Sequence, residues 1–97
     1  MGENMVTSII LINVERTQIN EVAAQLVELD EISEVYSVSG KYDLIAIVRV
    51  KTNEDLSRLV TEKLRGVESI VATETMLAFQ AYSKHDLESM FSLGLDA

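Results

Sequence analysis

Cysteine is missing from this chain, and basic residues are scarce: 8 Lys and Arg stand against 16 Asp and Glu in 97 residues, a formal net charge of −8. The first absence excludes disulfides and thiolate metal sites and leaves the redox compartment unconstrained. The second removes the positive footprint with which a domain grips a phosphate backbone, so direct nucleic-acid contact is not expected. His85 is the only histidine. Without a second His or a Cys, carboxylates alone could hold a cation, and only weakly. Gly40 and Gly66 stand alone rather than in a phosphate-cradling loop, and no Ser–His–acid order is suggested. Neither catalysis nor a cofactor is therefore expected. No apolar run approaches the roughly 18 residues of a membrane span, and no secretory signal is visible, so the expected location is cytoplasmic.

What the chain does have is apolar surface. Its hydrophobic fraction is 47% and its mean hydropathy +0.16, high for a soluble chain of one small domain. The excess predicts a second hydrophobic surface, most simply an oligomer interface. Met1 to Asn4 carry no periodicity ahead of Met5. Residues 1–5 read as a disordered start or a cloning remnant, and 6–97 as a single domain.

Thr7 to Val14 is β-branched and apolar in both parities, which predicts a strand buried on both faces. Ile19, Val22, Ala23, Leu26 and Leu29 recur at helical spacing and predict a helix over 18–29 with Thr17 as its N-cap. Ile32 to Ser39 alternates as a second strand with Ile32, Glu34, Tyr36 and Val38 on one side, and Asp43 to Val50 is a third. Thr52-Asn53-Glu54-Asp55 offers a cap and first-turn carboxylates to a second helix, striped by Leu56, Leu59, Val60 and Leu64 and stopped near Gly66. Val67 to Tyr82 is β-prone, and 86–93 reads as a short terminal helix with Leu87, Met90 and Phe91 on its apolar side. The order β-α-β-β-α-β predicts an α+β, ferredoxin-like sandwich with both main helices on one face. Its other face needs a cover, and a second copy packed sheet to sheet supplies one, giving a homodimer of the dimeric α/β-barrel type.

Ser39-Gly40-Lys41-Tyr42-Asp43 joins the second and third strands. Glycine supplies the positive φ that tight connections use, and Asp43 can bind nearby backbone N–H groups. A flexible backbone, an aromatic, a cation and an anion meet here, which makes the turn the candidate binding point for a small polar molecule. Asp43 also has a plain reading as a turn-stabilising residue, Tyr42 as an interface aromatic, and Thr73 and Thr75 as ordinary strand residues. His85, between Lys84 and Asp86, reads as a capping or surface residue.

The element order, together with Val38-Ser39-Gly40-Lys41-Tyr42-Asp43-Leu44, Gly66-Val67, Thr73-Glu74-Thr75 and Tyr82-Ser83-Lys84-His85-Asp86-Leu87, resembles the effector-binding domain of the Lrp/AsnC regulators over about residues 6–93. Full-length members of that family carry an N-terminal helix-turn-helix that contacts DNA. Only a handful of residues precede the first strand here, so the chain is expected to be a stand-alone effector domain. The resemblance implies dimers that assemble into octamer-like rings, with an amino acid or related molecule bound between dimers. It places Ser39, Gly40, Tyr42 and Asp43 on one side of that site and Thr73 and Thr75 on the other, contributed by the next dimer. Asp43 would accept from an α-ammonium, and the threonines would offer hydroxyls to a carboxylate or side chain. Transcription would be affected indirectly, through co-assembly with a full-length Lrp/AsnC regulator. The alternatives are a purely structural oligomerisation module and a small dimeric α/β-barrel enzyme.

Overall fold

A computed structural model of the chain describes residues 5–84. Its elements are β1 (Val6–Val14), α1 (Ile19–Val27), β2 (Ile32–Ser37), β3 (Leu44–Val50), α2 (Asn53–Arg58), a π-helical continuation of α2 (Leu59–Leu64) and β4 (Ile70–Ala78). The strands form one antiparallel sheet in the order β2-β3-β1-β4, so the two most apolar strands are central. This is the α+β arrangement that the element order predicts. His85 and the terminal helix expected over 86–93 lie outside the described residues.

Alternation sorts the central strands. Ile10, Ile12 and Val14 of β1 and Leu44, Ala46, Val48 and Val50 of β3 are buried under the helices, against Val22, Leu26, Leu59 and Leu64. Each large side chain buried there stabilises the fold by about 1.5–3 kcal/mol. Ser8 is the buried polar residue in this layer, and its hydroxyl donates to the Met76 carbonyl at 2.7 Å, so the burial leaves no orphan donor. Ile9, Leu11, Ile45 and Ile47 point the other way and stay half-buried. Within one chain, then, β1 and β3 are fully covered on one face only, and the expectation of two buried faces is not met by the protomer alone.

Three local expectations need correction. Thr17 does not cap α1: it lies inside a 3-10 turn, Arg16–Gln18, and the helix begins at Ile19 and ends at Val27 without a side-chain cap. Ile32 does not share a face with Glu34 and Tyr36. A register shift between Ile32 and Glu34 turns Ile32 into the core opposite Val48, while Glu34 and Tyr36 face Ile47 and Ile45. The last strand is shorter than the β-prone segment, because Val67 belongs to a turn in which the Ile70 N–H donates to its carbonyl (3.2 Å). The start of α2 is as expected: Thr52 Oγ1 accepts from the Asp55 N–H at 3.0 Å, with Glu54 and Asp55 in the first turn.

Candidate functional site

The connection between β2 and β3 is tied down at several points. The Val38 N–H donates to the Asp43 carbonyl (3.0 Å), closing the turn, and the Asp43 N–H donates to the Ile12 carbonyl (3.0 Å). Asp43 Oδ2 accepts from the Val14 N–H at 2.9 Å. The aspartate therefore bonds β1 through both its backbone and its side chain. Gly40 has a φ of 107°, where L side chains are strained, although no atom lies within 4 Å of a Cβ added there. Ser39, Gly40 and Lys41 are exposed at the tip, and Tyr42 and Asp43 are half-buried at its base.

Tyr42 carries the connection further. Its hydroxyl donates to Glu74 Oε1, so the turn after β2 reaches past β1 to the edge strand β4. The carboxylate needs the phenol proton, so this bond raises the Tyr42 pKa above the usual tyrosine value, and desolvation and the negative charge of Glu74 act the same way. Tyr36 is raised similarly by its bond to Glu34 (2.7 Å) on the outer strand β2.

Thr73 and Thr75 flank Glu74 but do not share its face. They pair with Ile12 and Ile10, which point to the helices, whereas Glu74 pairs with Leu11 on the open face. Both threonines are exposed, because β4 lies at the sheet edge beyond the helices' cover. Thr73 lines a cleft of about 310 Å³ with Val60, Leu64, Arg65, Val67 and Ile70. Within a protomer the six residues singled out in the sequence thus separate into two groups: Ser39, Gly40, Tyr42 and Asp43 in the turn, and Thr73 and Thr75 on the helix side of β4. Glu74, which touches the first group and lies between the members of the second, was not among them. Its partner is 32 residues away, and no local pattern announces a bond of that reach.

The open face is apolar at its centre and polar at its margins. Ile9, Leu11, Ile45, Ile47 and Met76 form the middle, with Glu34, Tyr36, Arg49 and Glu74 around it. Among the described residues, no group of three or more His, Cys, Asp or Glu side chains could hold a metal ion. No helix among them is long and apolar enough to cross a membrane.

A four-stranded antiparallel sheet, helices on one face, a half-buried apolar face on the other and a glycine turn tied to the edge strand define a small α+β domain. The chain belongs to the Lrp/AsnC ligand binding domain family, whose model matches residues 7–87. It is 32% identical over 84 residues to the HTH-type transcriptional regulator FL11 of Pyrococcus furiosus, an alignment covering 87% of this chain and 54% of the relative. The chain thus spans about half the length of that curated relative. The protein TTHA0845 from Thermus thermophilus is similar in structure, with a TM-score of 0.76 and 39% identity, covering 81% of this chain and 99% of that one. A feast or famine regulatory protein from M. tuberculosis, complexed with L-methionine, shares the fold at a TM-score of 0.69 and 22% identity, covering 81% and 54% of the two chains.

Proposed function

We propose that this domain senses an amino acid or similar small molecule bound where protomers meet, and passes binding on to transcription through its state of assembly. The observation that carries this reading is the division of the candidate residues. The Ser39–Asp43 turn closes the β2–β3 connection and the Thr73/Thr75 pair lies on the helix side of the edge strand, and the pocket proposed here takes the turn from one copy and the threonines from another. The bare face, with Ile9, Leu11, Ile45, Ile47 and Met76, supports a sheet-to-sheet homodimer as the first step, and ring-like assembly of dimers as the second. The L-methionine complex of a regulator with this fold supports an amino-acid effector. At a net charge of −8, DNA contact falls to a partner, a full-length Lrp/AsnC regulator co-assembling with this domain. A ligand held between protomers favours whichever oligomer builds its site, which couples concentration to assembly.

The test is the thermal midpoint of the protein, alone and with each of the twenty amino acids at millimolar concentration. A ligand at about 100 times its Kd adds roughly 2.7 kcal/mol, several degrees for a domain of this size. A rise with one or a few amino acids supports the sensor. In a responsive protein, Asp43→Asn keeps an acceptor for the Val14 N–H while removing the charge offered to an α-ammonium; affinity falls and the dimer survives. An unchanged affinity removes Asp43 from the site.

A second reading, assembly without an effector, is favoured by one observation: the Tyr42 hydroxyl and one Asp43 oxygen already have partners inside the chain. A flat response to all twenty amino acids, with the oligomer intact, selects it.

A further inference from the structure

We infer that Glu74 is a positioning residue of the effector site: by accepting the Tyr42 hydroxyl it holds the Ser39–Asp43 turn in register with the strand that bears Thr73 and Thr75. This rests on the sensor reading and gives Tyr42 a different part in it, that of a strut whose hydroxyl faces into the chain rather than toward the ligand.

Three observations carry it. The turn is anchored to β1 through Asp43, at the Ile12 carbonyl and the Val14 N–H. Those bonds fix its base and leave the tip, with Gly40 in a left-handed conformation, governed by backbone alone. Tyr42 stands at the base next to Asp43, one residue from the exposed tip, and its bond to Glu74 ties the turn to β4. Glu74 in turn alternates with Thr73 and Thr75, so the strand that presents two hydroxyls on one face presents the clamp for the turn on the other. A shift of Glu74 along β4 would move the turn that a protomer gives to one pocket together with the threonines it gives to another. The bond also sits on the open face beside Leu11. Covering that face by a second protomer removes competing water and strengthens a phenol–carboxylate bond. Dimerisation thereby stiffens the turn before any ligand arrives, lowering what the ligand must order on binding.

The experiment compares wild type, Glu74→Ala, Glu74→Gln, Tyr42→Phe and the double variant Glu74→Ala/Tyr42→Phe. The first readout needs no ligand: the rate at which trypsin cuts after Lys41, followed by mass spectrometry on the folded protein. Cutting is expected to accelerate several-fold in Glu74→Ala and in Tyr42→Phe, no further in the double variant, and to stay within about twofold of wild type in Glu74→Gln, whose amide oxygen still accepts the phenol proton. The second is affinity for whichever of the twenty amino acids stabilises wild type, expected to fall at least fivefold in Glu74→Ala and in Tyr42→Phe and to stay close to wild type in Glu74→Gln. Unchanged cleavage at Lys41 in Glu74→Ala overturns the inference, whatever ligand binds. Changed cleavage with unchanged affinity also overturns it, reducing the bond to a surface contact. If no amino acid stabilises wild type, the sensor reading fails, and with it the effector role of Glu74; the cleavage series then reports only whether the turn is held.

Discussion

Asp43 shows how a residue's partners alter what its substitution tests. Its carboxylate accepts from the Val14 N–H at the end of β1, where β1 and β4 also shift register. Asp43→Ala strands that donor, and an unsatisfied part-buried N–H costs about 1–3 kcal/mol. We expect the urea midpoint of Asp43→Ala to fall accordingly and that of Asp43→Asn to stay close to wild type. Loss of effector binding in the alanine variant would therefore mix two causes, and the asparagine variant separates them. Glu31 makes the residue-scale case for pH. Its hydrogen bond with Lys63 (2.5 Å) lowers its pKa below the ordinary 4.5, partly opposed by desolvation. A carboxylate lowered in the folded state stabilises above its unfolded pKa, and the contribution is lost as pH falls through the folded value. Lys63 is 43% exposed, so the pair is worth only about 0.2–1 kcal/mol. Lys63→Met should lower the thermal midpoint slightly at neutral pH, and the difference from wild type should shrink as pH falls below 4.5.

Among the elements, the glycines and the second helix are the informative cases. Gly40 sits at φ 107° with open space where a Cβ would go, whereas Gly66 has no positive φ and a Cβ there would meet the Glu62 and Lys63 carbonyls at an ordinary 3.5 Å. Gly40→Ala should cost about 1–2 kcal/mol through backbone strain. Gly66→Ala should be neutral or gain up to about 1 kcal/mol, because alanine restricts the unfolded chain at no steric cost. Chemical denaturation of the two variants checks the contrast. The second helix opens as an α-helix capped by Thr52 and closes as a π-helical stretch. Residues five apart share a face where bonds run from i to i+5, and this places both Leu59 and Leu64 in the core. Leu64→Ala should cost about 2–5 kcal/mol, like other large-to-small changes at fully buried positions.

At the scale of the whole molecule, the helices can cover only one side of a four-stranded sheet, and the other carries Ile9, Leu11, Ile45, Ile47 and Met76. On the assembly proposed above, this patch is the dimer interface. Ile47 sits on central strand β3 and points to the open face. In a sheet-to-sheet dimer, Ile47→Glu buries an unpaired charge at the interface, while in a free protomer the carboxylate lies between Ile9 and Glu34 at a half-buried position and reaches solvent at smaller cost. Sedimentation should show a folded monomer for this variant and a dimer or larger assembly for wild type. A wild-type assembly that survives the substitution would place the interface elsewhere.

The sequence by itself determined the order of the four strands and two main helices and that the helices cover only one face of the sheet. These follow from information carried within a few residues: β-branched runs such as Ser8 to Val14, the i, i+3, i+4 recurrence of Ile19, Val22, Ala23 and Leu26, and the Thr52 cap. The candidate turn was legible for the same reason, since Gly40 needs only its own backbone to announce it. Tertiary structure decided the rest. The inward rotation of Ile32 depends on which residue of β3 it pairs with, and the π-helical stretch on what Leu59 and Leu64 pack against. The placing of Thr73 and Thr75 on the helix side of β4 with Glu74 on the other depends on the register of β4 against β1, and the place of Glu74 in the site on a hydroxyl 32 residues away. A local pattern specifies which way neighbouring side chains alternate; only the assembled sheet specifies what each of them meets.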